Sequence, residues 1–232
     1  MDIRMDKKKR PVGRPSDKKS IDKVALLRLA LKNFAERGFG GVTLKHIAVQ
    51  SDVAVSLLNY HFGTKEITSK EDIWRQAMQL VGSEIQQELD DLFKVIAGLD
   101  GLEKLRLFNR KIVINSAKNP EFQQVIVQEM FSKSNRSSWL TNELLKPIYK
   151  NMEETIEAEK AKGRIRNIPQ ANITSFIIGS ITMFFSRSYQ MEQAYGIDVF
   201  SQEAVEAHAD AINELIFNGL LVTMRSPKAT ID

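Results

Sequence analysis

Apolar residues along this chain recur mainly three or four positions apart, which is the spacing of one face of an α-helix. The first run, from Val24 to Phe34, stops at Gly38, a residue type that readily ends a helix. Two shorter runs, 44–48 and 53–58, follow on either side of a polar break. Because a helix of about eight residues is only marginally stable in water, we expect the two short helices to pack on each other and on the first.

The remainder of the chain also shows helical spacing, without strand alternation or an internal repeat. The predicted helices cover about 71–97, 102–118, 122–130, 138–162, 169–195 and 201–221. Pro147 should kink the fourth of these helices or mark a helix start. The helix from Pro169 to Tyr195 is apolar on almost all sides, which predicts burial on every face. The pattern therefore predicts an all-α fold.

Local signals define the ends of the first two helices. Ser20 is the predicted N-cap of the first helix, with Asp22 in its first turn. Phe39 should fold back onto the helix after the glycine that ends it. Thr43 is the predicted N-cap of the second helix. Asp52 falls at the following turn, where a left-handed conformation is commonly needed and Asp tolerates it better than most residues.

The second and third helices are joined by a turn of three or four residues, which is the helix-turn-helix arrangement. The third helix should run from about Ala54 to Phe62 and end at Gly63. In helix-turn-helix proteins the second helix of the pair lies in the DNA major groove. The spacing thus predicts a DNA-reading unit between Thr43 and Glu66.

Composition adds an asymmetry of charge to this picture. The 232 residues are 43% hydrophobic and 27% charged, which is typical of a soluble globular protein, and carry a net charge of +4. Residues 1–70 contain 15 Lys and Arg against 7 Asp and Glu, a net +8, whereas the rest contains 18 against 22, a net −4. This division favours a polyanion-binding head on a body that does not bind polyanions. Ordinary surface charge is the alternative.

Enzyme chemistry finds little support in the sequence. The three histidines, His46, His61 and His208, are too dispersed for a metal site, and there is no Cys. No nucleophile elbow, P-loop or dinucleotide-binding glycine motif is present. The first residues lack the apolar region of a signal peptide, no window is long enough to span a membrane, and the absence of Cys suits the reducing cytoplasm. We therefore predict a cytoplasmic protein without catalytic residues, cofactor or metal.

Residues 1–19 contain seven Lys and Arg with two Pro and no apolar partner, which predicts a disordered basic arm. Arg14, flanked by Gly13 and Pro15, is suited to a narrow, negatively charged minor groove. A merely solubilising tail is the alternative. The predicted organisation is a basic arm at 1–19, a helix-turn-helix domain at 20–66, a helical domain at 67–225 and a tail at 226–232.

A longer pattern surrounds the helix-turn-helix unit. Its members are Phe34–Phe39, Thr43, Leu44, Ile47, Ala48, Val53, Leu58, His61, Phe62 and Thr64–Glu66. This pattern, which covers about residues 20–80, resembles the N-terminal domain of TetR-type transcriptional regulators. The resemblance implies a three-helix domain that binds DNA and a larger all-helical domain that dimerises and usually binds an effector.

The chain departs from the family pattern in four places. Asp52 replaces the usual turn glycine, Ala54 replaces the usual Ser or Thr cap, and Asn59 stands where tyrosine is common. The segment 67–70 looks like an insertion, because both 64–66 and 69–71 fit the expected start of helix four. The departures at the turn and the cap predict a less rigid turn, by up to about 1 kcal/mol each.

Candidate DNA-binding residues flank the apolar positions of the two short helices. By resemblance they are Lys45, Val55, Ser56, Asn59, Tyr60, His61 and Lys65. Thr43 and, in the arm, Arg14 are added from their own chemistry. Asn59 can pair bidentately with adenine, and Lys45 can reach guanine or a phosphate. Thr43, Tyr60 and Lys65 are better suited to phosphate, which positions a protein without specifying sequence. For each residue a solvated helix face is the alternative, and His61 can also pack on the first helix.

Two further sets of residues concern the body. The predicted effector pocket comprises Phe93, Phe108, Ile112, Trp139, Tyr149, Phe176, Met183, Phe184 and Arg187, for which plain core is the alternative. Arg187 suits an anionic ligand or a Glu across a dimer. The predicted dimer interface, formed by the last two helices, comprises Ile173, Ile177, Ile181, Val205, Ile212, Leu215, Ile216 and Leu220.

Together these features predict a dimeric, one-component transcriptional regulator of the repressor type. It should bind a pseudo-palindromic operator and be released by a small-molecule effector through helix four. Two alternatives remain open: an activator gated by a protein partner, and a helical adaptor whose basic head binds membrane or RNA.

Overall fold

The computed structural model describes residues 22–221, which form eleven α-helices and one π-helical segment. The helices are α1 Lys23–Gly41, α2 Leu44–Gln50, α3 Val55–His61, α4 Ser69–Val95, α5 Gly101–Lys118, α6 Pro120–Met130, α7 Asn135–Trp139, the π-helical Leu140–Leu145, α8 Lys146–Ala161, α9 Gln170–Ser186, α10 Ser188–Tyr195 and α11 Gln202–Leu220. Within 22–221 the backbone forms no strand, only an isolated bridge between Ile165 and Leu221. The predicted all-α fold is confirmed.

The first helix begins and ends on local signals. Asp22, and not Ser20, is the N-cap, because its carboxylate accepts the Ala25 N–H at 3.0 Å, whereas Ser20 lies outside the described residues. At the other end Gly38 takes a φ of +67°, which interrupts the helix as predicted. Phe39 then stacks on Phe34, with ring centroids 5.9 Å apart. The chain leaves α1 in a fixed direction as a result.

The helix-turn-helix unit is held by one cap and one strained residue. Thr43 Oγ1 accepts the His46 N–H at 3.2 Å, and Asp52 has the left-handed φ of +53° that the turn requires. Ala54 gives α3 no side-chain cap. Leu58 is fully buried and anchors α3 on the core of the head. Tertiary packing therefore holds α3 in place, although a helix of this length is too short to be stable alone.

Helix α4 begins at the second of the two possible starts. Thr68 is its N-cap and accepts the Glu71 N–H at 3.3 Å. Residues 64–67 form a loop closed by the Thr64 N–H, which donates to the Ile67 carbonyl at 3.0 Å. The predicted boundary at 66/67 lies in this loop. Apolar residues of α4 are buried, and the helix packs against α1 on one side and the body on the other. The buried ones are Ile73, Trp74, Ala77, Met78, Val81, Ile85 and Leu89.

Pro147 accounts for the change of helix type between α7 and α8. It lies in the first turn of α8, where its missing N–H costs little. The preceding π-helical turn, 140–145, absorbs the bend that a proline imposes on the preceding turn. The prediction that Pro147 marks a helix start is confirmed, while the single helix expected from 138 to 162 is divided.

The predicted helix 169–195 is also divided, at Arg187, where φ is −104° and ψ is 24°. Ser186 Oγ donates to the Thr182 carbonyl at 2.9 Å, a bond that bends helices. Burial on every face is wrong for the single chain, because the Phe176 side chain is 66% exposed. The remaining apolar face packs on α5 and α11.

Candidate nucleic-acid interface and effector cavity

The outer face of α2 and α3 carries the predicted DNA-binding side chains. The predicted residues on these two helices, Lys45, Val55, Ser56, Asn59, Tyr60 and His61, are all exposed. Tyr60 is 82% exposed and meets the His61 ring edge-on, with centroids 5.0 Å apart. Since His61 is exposed, it does not form part of the core of the head. All six side chains are therefore open to a partner.

The flanking candidates are placed differently. The Thr43 hydroxyl accepts the capping bond from the His46 N–H, and the residue is exposed. Lys65 is exposed in the loop after α3, while Arg14 lies outside the described residues, as do the predicted arm at 1–19 and tail at 226–232. Val49, on α2, was not predicted although it is strongly exposed beside these residues. Its apolar character gave no signal, because apolar positions on so short a helix are ordinarily counted as core.

The segment 67–70, which looked like an insertion, holds the head in place. Ser69 Oγ donates to the Phe62 carbonyl at 2.9 Å, at the end of α3. Lys70 Nζ donates to the carbonyls of Phe39 and Val42, both at 3.0 Å, in the connection from α1 to α2. Burial lowers the pKa of the Lys70 ammonium, and the positive charge of Arg136 lowers it further. The first turn of α4 therefore binds both ends of the reading unit.

A second junction joins the head to α6 and α7. Gln128 Nε2 donates to the Ala35 carbonyl at 2.7 Å. Arg136 lies over the Phe39 ring, 3.7 Å from its centroid, and donates twice at 3.1 Å to Oε1 of Glu129. Glu129 is only 5% exposed. Sequence reasoning missed this pair, because Arg136 lies in what looked like a polar break between helices.

The body contains a small cavity of about 20 Å³. Its lining comprises Ile85, Ile112, Asn115, Phe122, Gln123, Ile126, Leu145, Ile148, Tyr149, Ile178 and Thr182. Among the residues that the structure describes, this lining has no charged side chain, and the buried Nδ2 of Asn115 has no hydrogen-bond partner. Burial raises the pKa of the Tyr149 hydroxyl, and the Glu153 carboxylate raises it further. The cavity therefore suits an uncharged, largely apolar group.

The structure does not bring the nine predicted pocket residues together. Only Ile112 and Tyr149 line the cavity. The others lie elsewhere: Phe93 against Phe108, Trp139 against Trp74, Phe184 against His208, and Phe176, Met183 and Arg187 exposed. Arg187 donates to Gln190 Oε1 at 2.7 Å and does not line this cavity. Five of the eleven lining residues are isoleucines, one from each of five helices, whereas the prediction relied mainly on aromatic residues.

The eight predicted interface residues divide in a similar way. Six of them are buried within the single chain: Ile173, Ile177, Ile181, Val205, Ile212 and Ile216. Leu215 is 71% exposed, and Leu220 is partly exposed. With Phe176, Leu215 lines an apolar groove of about 330 Å³ between α9 and α11. The surface open to a partner is thus offset from the predicted one, because the strongest apolar stripe packs inside the chain.

A helical body carrying a helix-turn-helix unit with an exposed polar face defines a DNA-binding regulator. The family model for bacterial regulatory proteins of the tetR family matches residues 26–66, and the model for tetracyclin repressor-like C-terminal domains matches residues 102–216. The chain therefore belongs to the TetR family of transcription regulators, which are not enzymes, and the predicted family is confirmed.

Solved structures share this fold over nearly their whole length. A candidate fatty acid metabolism regulator from Clostridium perfringens is 20% identical, with a TM-score of 0.68, covering 86% of this chain and 100% of that one. FadR from Bacillus subtilis, in complex with stearoyl-CoA, is 20% identical, with a TM-score of 0.61 and coverages of 84% and 98%. FadR from Bacillus halodurans is 19% identical, with a TM-score of 0.63 and coverages of 87% and 98%.

A comparison with curated protein sequences finds no match. Within residues 22–221, no helix combines the length and apolarity that crossing a bilayer requires.

Proposed function

We propose that this regulator is a dimeric repressor that binds a pseudo-palindromic operator and leaves it when a small apolar effector enters the body. The observation that carries the DNA-binding part is the exposed face of α3, where Ser56, Asn59 and Tyr60 project from a helix whose opposite side is anchored by buried Leu58. Two-fold symmetry of a dimer predicts two half-sites about one helical turn apart or somewhat more.

In vitro selection from a random duplex library tests the operator. We expect the recovered duplexes to share an inverted repeat, and binding to weaken steeply as salt rises, because phosphate contacts release counterions. Recovery of unrelated sequences with no repeat would instead indicate a protein whose basic head binds polyanions without reading bases. A repeat bound more tightly with effector present would indicate an activator.

Two substitutions separate positioning from base reading on the selected operator. We expect Lys65→Ala to weaken binding to every half-site variant alike, because a phosphate contact carries no sequence information. Asn59→Ala should change the preferred base at one position and cost about 1–3 kcal/mol there. Fluorescence anisotropy against a set of single-base variants gives both results. An unchanged order of preference for Asn59→Ala would remove its base-reading role.

For the effector, the apolar and uncharged lining of the cavity favours a molecule with a long apolar chain. The B. subtilis structure contains stearoyl-CoA, and we propose an acyl chain as the part that enters the cavity here. A cavity of about 20 Å³ holds about one water. The helices around it must therefore separate for a chain to enter, and this separation is the change that we expect to release DNA.

Thermal unfolding with stearoyl-CoA tests this proposal. Ligand at about 100 times its Kd should add about 2.7 kcal/mol, which raises the Tm of a chain of this size by about 5–10 °C. Ile178→Trp adds more volume than the cavity holds, so it should lower the Tm without ligand, because overpacking costs about 1–3 kcal/mol, and it should abolish the rise measured from that new baseline. Coenzyme A without an acyl chain is the control. An equal rise with both ligands would show that the acyl chain is not the bound part.

A further inference from the structure

Helix α6 lies against the cavity and against the DNA-reading head at the same time. Phe122, Gln123 and Ile126 line the cavity. Two residues beyond Ile126, Gln128 donates to the Ala35 carbonyl of α1 at 2.7 Å. Ala35 lies in the last turn before Gly38. At the end of a helix the carbonyls lack an N–H donor within the helix and need a donor from outside it. The same helix therefore contacts both the cavity and the head.

The next residue of α6 makes a second connection to the head. Glu129 is buried and holds Arg136 through two bonds at 3.1 Å, while Ser134 Oγ donates to its other oxygen at 3.0 Å. Arg136 in turn covers the Phe39 ring at 3.7 Å from the centroid, a distance at which a cation is attracted to an aromatic face. Phe39 is the residue that redirects the chain from α1 to α2, so Arg136 contacts the connection that orients the reading unit.

Helix α4 contacts the same part of the head. In its first turn Ser69 and Lys70 bond the carbonyls of Phe62, Phe39 and Val42. Arg136 also lies 5.9 Å from the ring centroid of Trp74 on α4, whereas the Gln128–Ala35 bond joins α6 to α1 directly. Because packed helices move as rigid bodies rather than deforming continuously, a shift of α6 away from the cavity must displace Gln128 and Glu129. Through the Gln128–Ala35 bond this displacement reaches α1 directly, in addition to any movement that α4 transmits.

We propose that Gln128 and Arg136 are positioning residues, which set the orientation of the DNA-reading head according to the position of α6. This inference rests on the proposed function, since it assigns the connection between the effector cavity and the operator-binding face. Neither residue touches DNA or effector in this scheme. Gln128 acts through the end of α1, and Arg136 acts through Phe39.

Hydrogen exchange with the selected operator duplex tests the connection without an effector, because coupling between two sites is reciprocal. In the parent protein, operator should slow amide exchange in 43–62 and also in 122–131. In Gln128→Ala the operator should still protect 43–62, whereas the protection it gives to 122–131 should fall about fivefold or more. Gln124→Ala, at an exposed position of the same helix, is the matched control and should behave as the parent.

Arg136→Lys provides a second variant that keeps the charge beside Glu129 but loses the planar group over Phe39. We expect it to retain the parent's circular dichroism spectrum and to show the same reduced protection of 122–131. Unchanged protection of 122–131 in both variants, or operator protection that reaches only 69–95 in the parent, would overturn the inference. Absence of protection at 43–62 in the parent would instead contradict the proposed function itself.

Discussion

Replacing Glu129 with Ala is expected to lower the free energy of unfolding by about 3 kcal/mol. The substitution removes the carboxylate that receives both Arg136 bonds and the Ser134 bond, at a site where Glu129 is almost fully buried. The guanidinium would then lie over Phe39 without its counter-charge. For a chain of this size, the loss corresponds to a fall in Tm of about 6–12 °C, which differential scanning calorimetry measures directly.

Two control proteins show whether burial is the cause. Glu154→Ala removes a carboxylate from an exposed pair with Lys150 and should cost less than about 0.5 kcal/mol. Replacing Glu129 with Leu and Arg136 with Met in one chain should recover most of the loss, because neither buried charge is then left alone. A double variant as unstable as Glu129→Ala would mean that packing at this junction, rather than an unpaired charge, is what the single substitution disturbs.

Signals within a few residues of each other were sufficient for the reading unit. Thr43 caps α2, Asp52 takes the left-handed conformation, and Phe39 folds back after Gly38, all as predicted. Each of these features depends on bonds or contacts between near neighbours, so the local sequence contains the cause. Even the competing starts of α4 differ locally, since Thr68 caps the helix that Ser69 begins.

The predicted pocket and interface residues depended on which side of a helix faces which neighbour, and the structure places many of them elsewhere. An apolar helix such as α9 has no pattern that separates its inward face from its outward one, and the structure turns Ile173 and Ile177 inward and Phe176 outward. The Glu129–Arg136 pair was not predicted, for the converse reason. Polar residues near a chain reversal are usually solvated, and only the approach of Phe39, almost a hundred residues earlier, encloses them.

Local sequence and tertiary packing both contribute to the bonds that hold the head against α4. Local sequence supplies the extra residues 67–70, and the tertiary fold places Ser69 and Lys70 on opposite ends of the reading unit. Asp52 occupies the turn with a left-handed φ and Ala54 gives α3 no side-chain cap, whereas the α4 bonds hold the two ends of the unit. We therefore expect α4 to supply part of the rigidity that the turn lacks.

The exposed apolar face of α9 and α11 leads to the second large expected effect, the loss of the proposed dimer in Leu215→Glu. Leu215 is 71% exposed and lines the groove that also contains Phe176. In a two-fold symmetric interface one substitution places two new carboxylates on the same contact. We therefore expect the dimer Kd to rise by at least about 100-fold, since unpaired or like charges at an interface cost several kcal/mol.

Sedimentation velocity at micromolar concentration measures this change. Val95→Glu, an apolar-to-acidic change at an exposed position of α4, is the matched control that should remain dimeric.

Ile177→Ala distinguishes the two sets of interface residues. Because Ile177 is buried within the chain, its truncation should lower the free energy of unfolding by about 2–5 kcal/mol and leave association of the folded chains largely unchanged. A dimer that tolerates Leu215→Glu yet dissociates with Ile177→Ala would require α9 to turn its other face outward. That arrangement would expose the side that now packs on α5 and α11, at the expense of the chain's own core.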